Sequence, residues 1–338
     1  MPPSAAAPLK FLSPAWFSIV MGLSGLALAW LRAEPLMGEL TGAIALVIGA
    51  VTALIFVLLA GASLLRLQRH PEAWREDRQH PVRHAFMAAL PAALILLATL
   101  ATALFGPLPL VRVLWWCGSL SQLGVTLWVL SRWWLGNKAG GLVWPALTPV
   151  LFIPIVGNVL VPLAGVPLGQ ADWAAAQFGL GLLFWPVLLA LLLVRVATQG
   201  MWPERLLPAN FIFVAPPAVI GLSALQLGAP RPLGWMLWGA ALFTLLWVGT
   251  QARRIVAQPF ALMHWGVSFP LAAFTALTLR LAEPGNLLTL LGPLLLALSS
   301  LVMLGLLMAT WRGLRDGSLL APEPVAAITP IGAAAGTP

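Results

Sequence analysis

Residues 142–164 read LVWPALTPVLFIPIVGNVLVPLA, a run without a charged side chain. About 20 apolar residues are enough for a helix to cross the roughly 30 Å hydrocarbon core of a membrane. The run also contains Pro149, Pro154 and Pro162, and proline removes a backbone hydrogen bond and bends a helix. Because hydrocarbon offers no substitute donor, such backbone must face protein or a wet cavity. The run therefore predicts a membrane helix that is bent and buried.

The composition of the whole chain agrees with a membrane location. Of its 338 residues, 60% are hydrophobic and 8% are charged, whereas a soluble domain carries about 25% charged residues. Charges, prolines and glycines divide the chain into ten apolar segments. These cover residues 14–31, 38–65, 84–105, 108–131, 142–164, 173–195, 209–228, 232–251, 260–282 and 286–311.

We predict an all-α integral membrane protein with one ten-helix transmembrane domain at 14–311. A short cytoplasmic segment at 1–13 precedes it. The tail at 312–338 ends in a stretch rich in Ala, Pro and Gly, so we expect it to be disordered and cytoplasmic.

Basic residues are distributed unevenly between the loops. If the segments alternate in direction, only Arg32, Arg112, Arg231 and Arg280 of the 18 Lys and Arg lie on the side opposite the N-terminus. Cytoplasmic loops carry such an excess of Lys and Arg. We therefore expect both termini in the cytoplasm and an even number of spans.

Five arginines lie between the second and third segments: Arg66, Arg69, Arg75, Arg78 and Arg83. The simpler interpretation is that they record insertion topology and contact anionic lipids. A second interpretation is that they concentrate anions at a cytoplasmic pore mouth, because a positive surface potential raises the local anion concentration. The two interpretations are compatible.

The centres of the segments contain almost no ionisable residues. Proton-coupled pumps and membrane redox enzymes place such groups there despite their cost. His70, His80 and His84 fall near one loop and His264 stands alone, so the histidines form no ligand set. The sequence has no phosphate-binding glycine loop and no serine nucleophile with a base. It predicts no enzyme, no metal site, no cofactor and no nucleic-acid partner.

Interior prolines are concentrated in the odd-numbered segments. Pro91 lies in the third, Pro154 in the fifth, Pro216 in the seventh and Pro270 in the ninth, whereas the second, fourth and eighth have none. Proline is common in membrane helices, which explains a single instance better than the alternation. We predict an inner ring of odd segments around a lumen and an outer ring of even segments against lipid. In the first segment, Gly22 would supply close packing or a bend.

The lumen of such a ring is expected to be uncharged. Its wall would be apolar carbon with amide edges, hydroxyl groups and Asn158, so a weakly hydrated monovalent anion could pass without tight binding. Phe269, directly before Pro270, is a candidate for a constriction that closes a pore by excluding water. Phenylalanine in an apolar span more often packs against its neighbours, so the residues alone leave both roles open.

Several motifs resemble one known family. They are HPVR at 80–83, PALTP at 145–149, FIPIVGN at 152–158, VAP at 214–216 and WGVSFP at 265–270. Their order and positions look like those of the tellurite-resistance/dicarboxylate transporter family, which includes TehA and the plant slow-type anion channels. The family often has a proline in the first helix where this chain has Val20 or Met21, and the resemblance gives Arg280 no role.

The resemblance implies five helical hairpins in a quasi-fivefold arrangement around a central pore. It also implies a homotrimer with one pore per subunit, and it makes Phe269 the residue that occludes the pore. The remaining predicted pore-lining or kink residues are Gly22, Pro91, Pro154, Asn158, Pro216 and Pro270.

Together these observations predict a passive channel for small inorganic anions such as chloride or nitrate in a bacterial inner membrane. The alternatives are a secondary carrier for C4-dicarboxylates such as malate, a transporter linked to tellurite resistance, and a membrane enzyme or scaffold without transport. A carrier of a doubly charged substrate would want a buried cation, yet Arg112, Arg195 and Arg280 all lie near segment ends.

Overall fold

The computed structural model describes residues 8–136, 138 and 141–321. Within these ranges the chain is helical and contains no β-strand. The principal helices are α1 (Phe17–Arg32), α2 (Leu40–Arg69), α3 (Ala89–Phe105), α4 (Pro109–Ser131), α5 (Phe152–Val159), α6 (Ala171–Gln199), α7 (Ala215–Gln226), α8 (Arg231–Gly249), α9 (Ser268–Leu281) and α10 (Leu288–Arg315).

Nine helical stretches of the described chain are long and apolar enough to cross a membrane. The predicted fifth segment is the exception, because its apolar helix, Pro149–Gly165, is shorter and is interrupted at residues 160 and 161. Proline lacks a backbone N–H, so Pro162 cannot continue the hydrogen bonds of α5. The N–H of Leu163 donates to the carbonyl of Leu160 at 3.1 Å, and the carbonyl of Val159 accepts a hydrogen bond from Ser223 Oγ at 2.5 Å. A count of ten spans therefore stays a prediction.

The helices alternate between buried and exposed positions. The stretches that contain α1, α3, α7 and α9 bury 61–94% of their most apolar part, whereas those of α2, α4, α6, α8 and α10 bury 17–33%. Each buried helix contacts the next exposed one, which gives five hairpins. The buried helices also contact one another in the order α1, α3, α5, α7, α9, and α9 returns to α1. The inner elements thus form a closed ring, while fivefold symmetry stays a prediction.

The buried helices share one local geometry. Each is preceded by a 3-10 turn, at Pro14–Trp16, Arg83–Ala88, Pro149–Leu151, Glu204–Val214 and Leu262–Val267. In four of them the third α-helical residue is a proline: Pro91, Pro154, Pro217 and Pro270. A proline ring clashes with the carbonyl four residues earlier in an α-helix, and here that residue lies in the tighter turn.

This geometry differs from the prediction that prolines bend the middle of continuous helices. The prolines of the inner ring mark the change from 3-10 to α geometry in the first turn, where proline is best tolerated. Prolines inside an α-helix occur instead in the outer ring, at Pro186 of α6 and Pro293 of α10.

Helical structure continues beyond both ends of the domain predicted at 14–311. Helix α10 continues to Arg315, and a 3-10 turn follows at Ser318–Leu320. Near the N-terminus, the turn Pro8–Phe11 is fastened to α2, because the carbonyl of Lys10 accepts a hydrogen bond from Arg66 Nε at 2.9 Å. Residues 322–338, which make up most of the predicted disordered tail, lie outside the described residues.

Candidate pore and its constriction

Two small cavities lie inside the ring of buried helices. Their volumes are about 30 Å³ and about 20 Å³. All five inner segments contribute lining residues to each cavity, through the inner helices, the turns before them and, after α5, Leu160 and the short helix Pro162–Gly165. No described residue of the outer helices lines either cavity. The hollow interior therefore belongs to the inner ring alone.

Each inner helix presents a narrow stripe to this interior. On α1 the stripe consists of Ser18, Met21, Gly25, Leu28 and Arg32, which recur at intervals of three and four residues. That interval places side chains on one face of a helix. The fifth segment shows the same spacing, with Ile153, Val156, Leu160 and Leu163.

Phe269 lies between the two cavities. Among the described residues it alone lines both of them, and it is only 7% exposed. As the second residue of α9 it directly precedes Pro270, and its ring packs against Gly25 of α1. An aromatic ring in this position separates two spaces that would otherwise join.

The walls of the cavities are mainly apolar. The first cavity contains the hydroxyl of Ser18, and the second contains the guanidinium-bearing side chain of Arg32. The expectation of an uncharged lumen is therefore wrong for the second cavity. Arg32 was expected in the loop after the first segment, whereas it is the last residue of α1 and continues the stripe of that helix.

Only two members of the predicted pore set, Phe269 and Pro270, line a cavity. Pro91, Pro154 and Pro216 are buried but line neither cavity. Successive helical residues point about 100° apart, so the residue after a lumen-facing position such as Ile153 faces a neighbouring helix. Gly22 packs against Ser268 of α9 and Met303 of α10 and also lies outside the lumen.

Asn158 faces the outer helices, contrary to the prediction that it lines the pore. It is fully buried, and its Nδ2 donates to Thr126 Oγ1 at 2.8 Å and to the carbonyl of Pro154 at 2.7 Å. Its Oδ1 accepts from Gln177 Nε2 at 2.9 Å. The Pro154 carbonyl also accepts from Gln122 Nε2 at 2.9 Å. This polar network joins α5 to α4 and α6.

Two of the five loop arginines form a buried ion-pair cluster with Asp77. Nη1 of Arg66 lies 2.7 Å from Asp77 Oδ2, and Nη1 of Arg83 lies 2.8 Å from Oδ1. Burial raises the pKa of Asp77, while the hydrogen bond and charge of Arg66 and the charge of Arg83 act in the opposite direction. Asp77 therefore offsets one of the two positive charges, and Arg66, whose side chain is 4% exposed, is not accessible as an anion attractor.

The other three arginines of the loop are exposed. Arg69 lies at the end of α2, and Arg75 lies on the short helix Pro71–Gln79. Arg78 places its guanidinium carbon 5.3 Å from the centre of the Trp128 ring, in a cation–π contact. These three residues remain candidates for attracting anions.

The histidine of the HPVR motif shapes the chain before α3. His80 Nδ1 accepts hydrogen bonds from the backbone N–H groups of Val82 and Arg83, each at 3.1 Å. Burial, together with smaller contributions from the positive charges of Arg83, His84 and Arg205, lowers the pKa of His80 to about 4. Within the ranges that the structure describes, no group of three or more His, Cys, Asp or Glu could hold a metal ion.

The family model for voltage-dependent anion channels, SLAC1, matches residues 12–311. The chain belongs to this family. The matched region includes all five hairpins and both cavities, so the expected family resemblance is confirmed and the chain is a multi-pass membrane protein.

Two relatives illustrate the family. The chain is 24% identical over 273 residues to the S-type anion channel SLAH2 of Arabidopsis thaliana, covering 79% of this chain and 52% of SLAH2. It is 26% identical over 267 residues to a tellurite resistance protein TehA homolog of Haemophilus influenzae, covering 78% of this chain and 79% of that protein. The chain thus spans about half the length of SLAH2 and most of the TehA homolog.

Proposed function

We propose that this chain is a passive channel for small monovalent anions such as chloride and nitrate, closed by the ring of Phe269. The observation that carries the proposal is the position of Phe269 between two cavities that all five inner helices enclose. A hydrophobic constriction closes a pore by excluding water. Membership of the anion-channel family supports the same activity.

The lining explains how anions would pass without being trapped. Conduction requires that entry be favourable and exit easy. The cavities offer apolar carbon, one hydroxyl and one cation, which is too little to hold an anion tightly. No carboxylate lines either cavity among the described residues, so nothing there repels an anion.

The setting of the channel is part of the proposal. The excess of Lys and Arg in alternate loops favours a bacterial inner membrane with both termini in the cytoplasm. The family resemblance favours a homotrimer with one pore in each subunit. Small anions and bilayer lipids are then its partners, and it needs no cofactor and catalyses no reaction.

The test is the anion current of Phe269→Ala in planar bilayers, with Phe274→Ala as the matched control. Phe274 lies on the same helix but stacks on Trp238 of the outer ring, with ring centres 5.8 Å apart, and lines neither cavity. Removing a barrier of about 1.4 kcal/mol raises a rate about tenfold. We expect at least that increase for Phe269→Ala and none for Phe274→Ala; equal currents would refute the gate.

A carrier for C4-dicarboxylates such as malate is the second candidate. The observation that favours it is the closeness of Arg32 and Arg280, whose positive charges interact and could face two carboxylates. Vesicles loaded with labelled malate distinguish the two functions. A carrier saturates and exchanges internal for external malate, whereas a channel follows the voltage. The same vesicles loaded with tellurite test a transporter linked to tellurite resistance.

A further inference from the structure

Arg32 occupies a position unlike that of any other charged residue described. It completes the lumen-facing stripe of α1 and lines the second cavity together with Phe269. No other charged side chain in the described ranges lines either cavity. Its charge therefore lies on one side of the constriction only.

Arg32 also has no balancing charge within the described part of the chain. Arg66 and Arg83 pair with Asp77, Arg231 with Glu283 and Arg254 with Glu204, but Arg32 forms no ion pair and donates no side-chain hydrogen bond.

The charged residues near Arg32 leave its guanidinium available to a ligand. Glu34 is the acidic residue closest in sequence, and its carboxylate lies beside Gly42 of α2. Arg280 is close enough to repel Arg32. It lies four residues after Ala276, which lines the same cavity, so it continues the stripe of α9. Arg280 is itself exposed and lines neither cavity, so Arg32 is the cation of the cavity wall and Arg280 lies near it in the last turn of α9.

We propose that Arg32 binds a small monovalent anion in the second cavity, with Arg280 adding to the positive potential there. The proposal rests on the channel function, since it assigns a binding step to the permeation path. Guanidinium stays charged and presents five N–H donors, and Arg32 is a half-buried cation without a counter-charge, which an anion would stabilise. The remaining wall is apolar, so binding is one-sided and weak enough for release.

The first experiment measures binding without transport. The melting temperature of the purified protein is followed as chloride replaces gluconate at constant ionic strength, because a ligand of the folded state stabilises it by mass action. The variants are Arg32→Gln, Arg32→Lys and Arg112→Gln. Arg112 is an exposed arginine of α4 that lines neither cavity. The substitution Arg112→Gln removes one positive charge, as Arg32→Gln does, from the same predicted side of the membrane.

We expect chloride to stabilise the wild type and Arg112→Gln equally, Arg32→Lys partly and Arg32→Gln little. A chloride effect that survives in Arg32→Gln would overturn the proposal. If Arg32→Gln fails to fold, Arg32→Lys against the wild type decides, because the lysine keeps the charge but loses the planar donors. A chloride effect equal to that of the wild type in Arg32→Lys would then overturn the assignment to the guanidinium.

The second experiment separates this inference from the channel itself. In the Phe269→Ala background, the chloride concentration for half-maximal current should rise about tenfold in Arg32→Gln, which corresponds to about 1.4 kcal/mol of lost binding. If no variant conducts anions while the chloride stabilisation still depends on Arg32, the channel fails and the site stands. If current flows with an unchanged half-maximal concentration in Arg32→Gln, the channel stands and the site fails.

Discussion

Phe269 and Gly25 are in direct contact across the ring of inner helices: a Cβ atom added to Gly25 would lie 3.2 Å from Cδ2 of Phe269 and 3.1 Å from the Cβ of Ala272. Both distances are shorter than ordinary van der Waals contact between carbon atoms, about 3.5–4.0 Å. The glycine therefore provides the space in which the ring lies, and α1 contributes to the constriction as directly as α9.

Gly25→Ala should consequently destabilise the protein through the ring. Overpacking a well-filled site costs about 1–3 kcal/mol, and part of that cost should vanish when the ring is absent. We expect the loss of unfolding free energy on Gly25→Ala to be smaller in the Phe269→Ala background than in the wild type. A double-mutant cycle of unfolding in detergent measures this coupling.

Gly61→Ala is the control for this cycle. Gly61 lies in α2, and nothing lies within 4 Å of a Cβ atom added there. Its substitution should not couple to Phe269. If the losses of unfolding free energy caused by Gly25→Ala and Phe269→Ala simply added, as expected for Gly61→Ala, the contact between Gly25 and Phe269 would be refuted.

Asn158→Leu should lower stability without changing ion selectivity. The substitution leaves Gln177 Nε2 and Thr126 Oγ1 short of a partner they now have at 2.9 and 2.8 Å, and a buried unsatisfied polar group costs about 1–3 kcal/mol. Because Asn158 lines neither cavity, the chloride-to-nitrate permeability ratio should match that of the wild type. Reversal potentials under bi-ionic conditions check the second part, and a changed ratio would return Asn158 to the pore wall.

The architecture was predictable because its determinants are local. Apolar run lengths locate the helices, and tight turns force neighbouring helices to pair. The prolines at 91, 154 and 270 do mark inner helices, but each lies in the first α-helical turn after a 3-10 turn, where proline is best tolerated, and not at the bend for which it was chosen. What the sequence does not carry is the rotation of each helix. That rotation decides that Ile153 faces the lumen while Pro154, one residue later, faces α4.

The site was predicted only in part for the same reason. Phe269 could be named because it precedes a proline and because the family resemblance points to it. Asn158 and Arg66 were misassigned because their partners, Gln177 and Asp77, lie in other elements. The stripe that ends in Arg32 was visible as spacing on α1, but nothing in the sequence says which face of α1 meets the lumen.

Asp77→Asn should be among the most destabilising single substitutions in the 66–83 segment. Asp77 is fully buried and Arg66 is 4% exposed, and breaking a buried ion pair costs about 3–5 kcal/mol because the remaining charge has no partner. Glu76→Gln is the matched control, since Glu76 is exposed and faces the half-buried Lys10 at 4.0 Å. Exposed pairs contribute about 0–1 kcal/mol. Unfolding of both variants in detergent gives the comparison, and similar losses would contradict the assigned role of Asp77.

Protonation of His80 should destabilise the protein in mildly acidic solution. The pKa of His80 falls from 6.5 to about 4 on folding, so the folded state binds the proton less tightly than the unfolded state. The stability that depends on the neutral ring is complete above pH 6.5 and is lost as the pH falls through 4. Protonation also removes the lone pair with which Nδ1 accepts the N–H groups of Val82 and Arg83.

The substitution that isolates this effect is His80→Asn, whose side-chain oxygen can accept a nearby backbone N–H without titrating. We expect the melting temperature of the wild type to fall between pH 6.5 and 4 more steeply than that of His80→Asn, with the two curves converging at acid pH. Carboxylates titrate in the same pH range and affect the melting temperature of both proteins equally, so the difference between the two curves is the diagnostic quantity. Parallel curves would show that the ring of His80 does not titrate in a stability-linked manner.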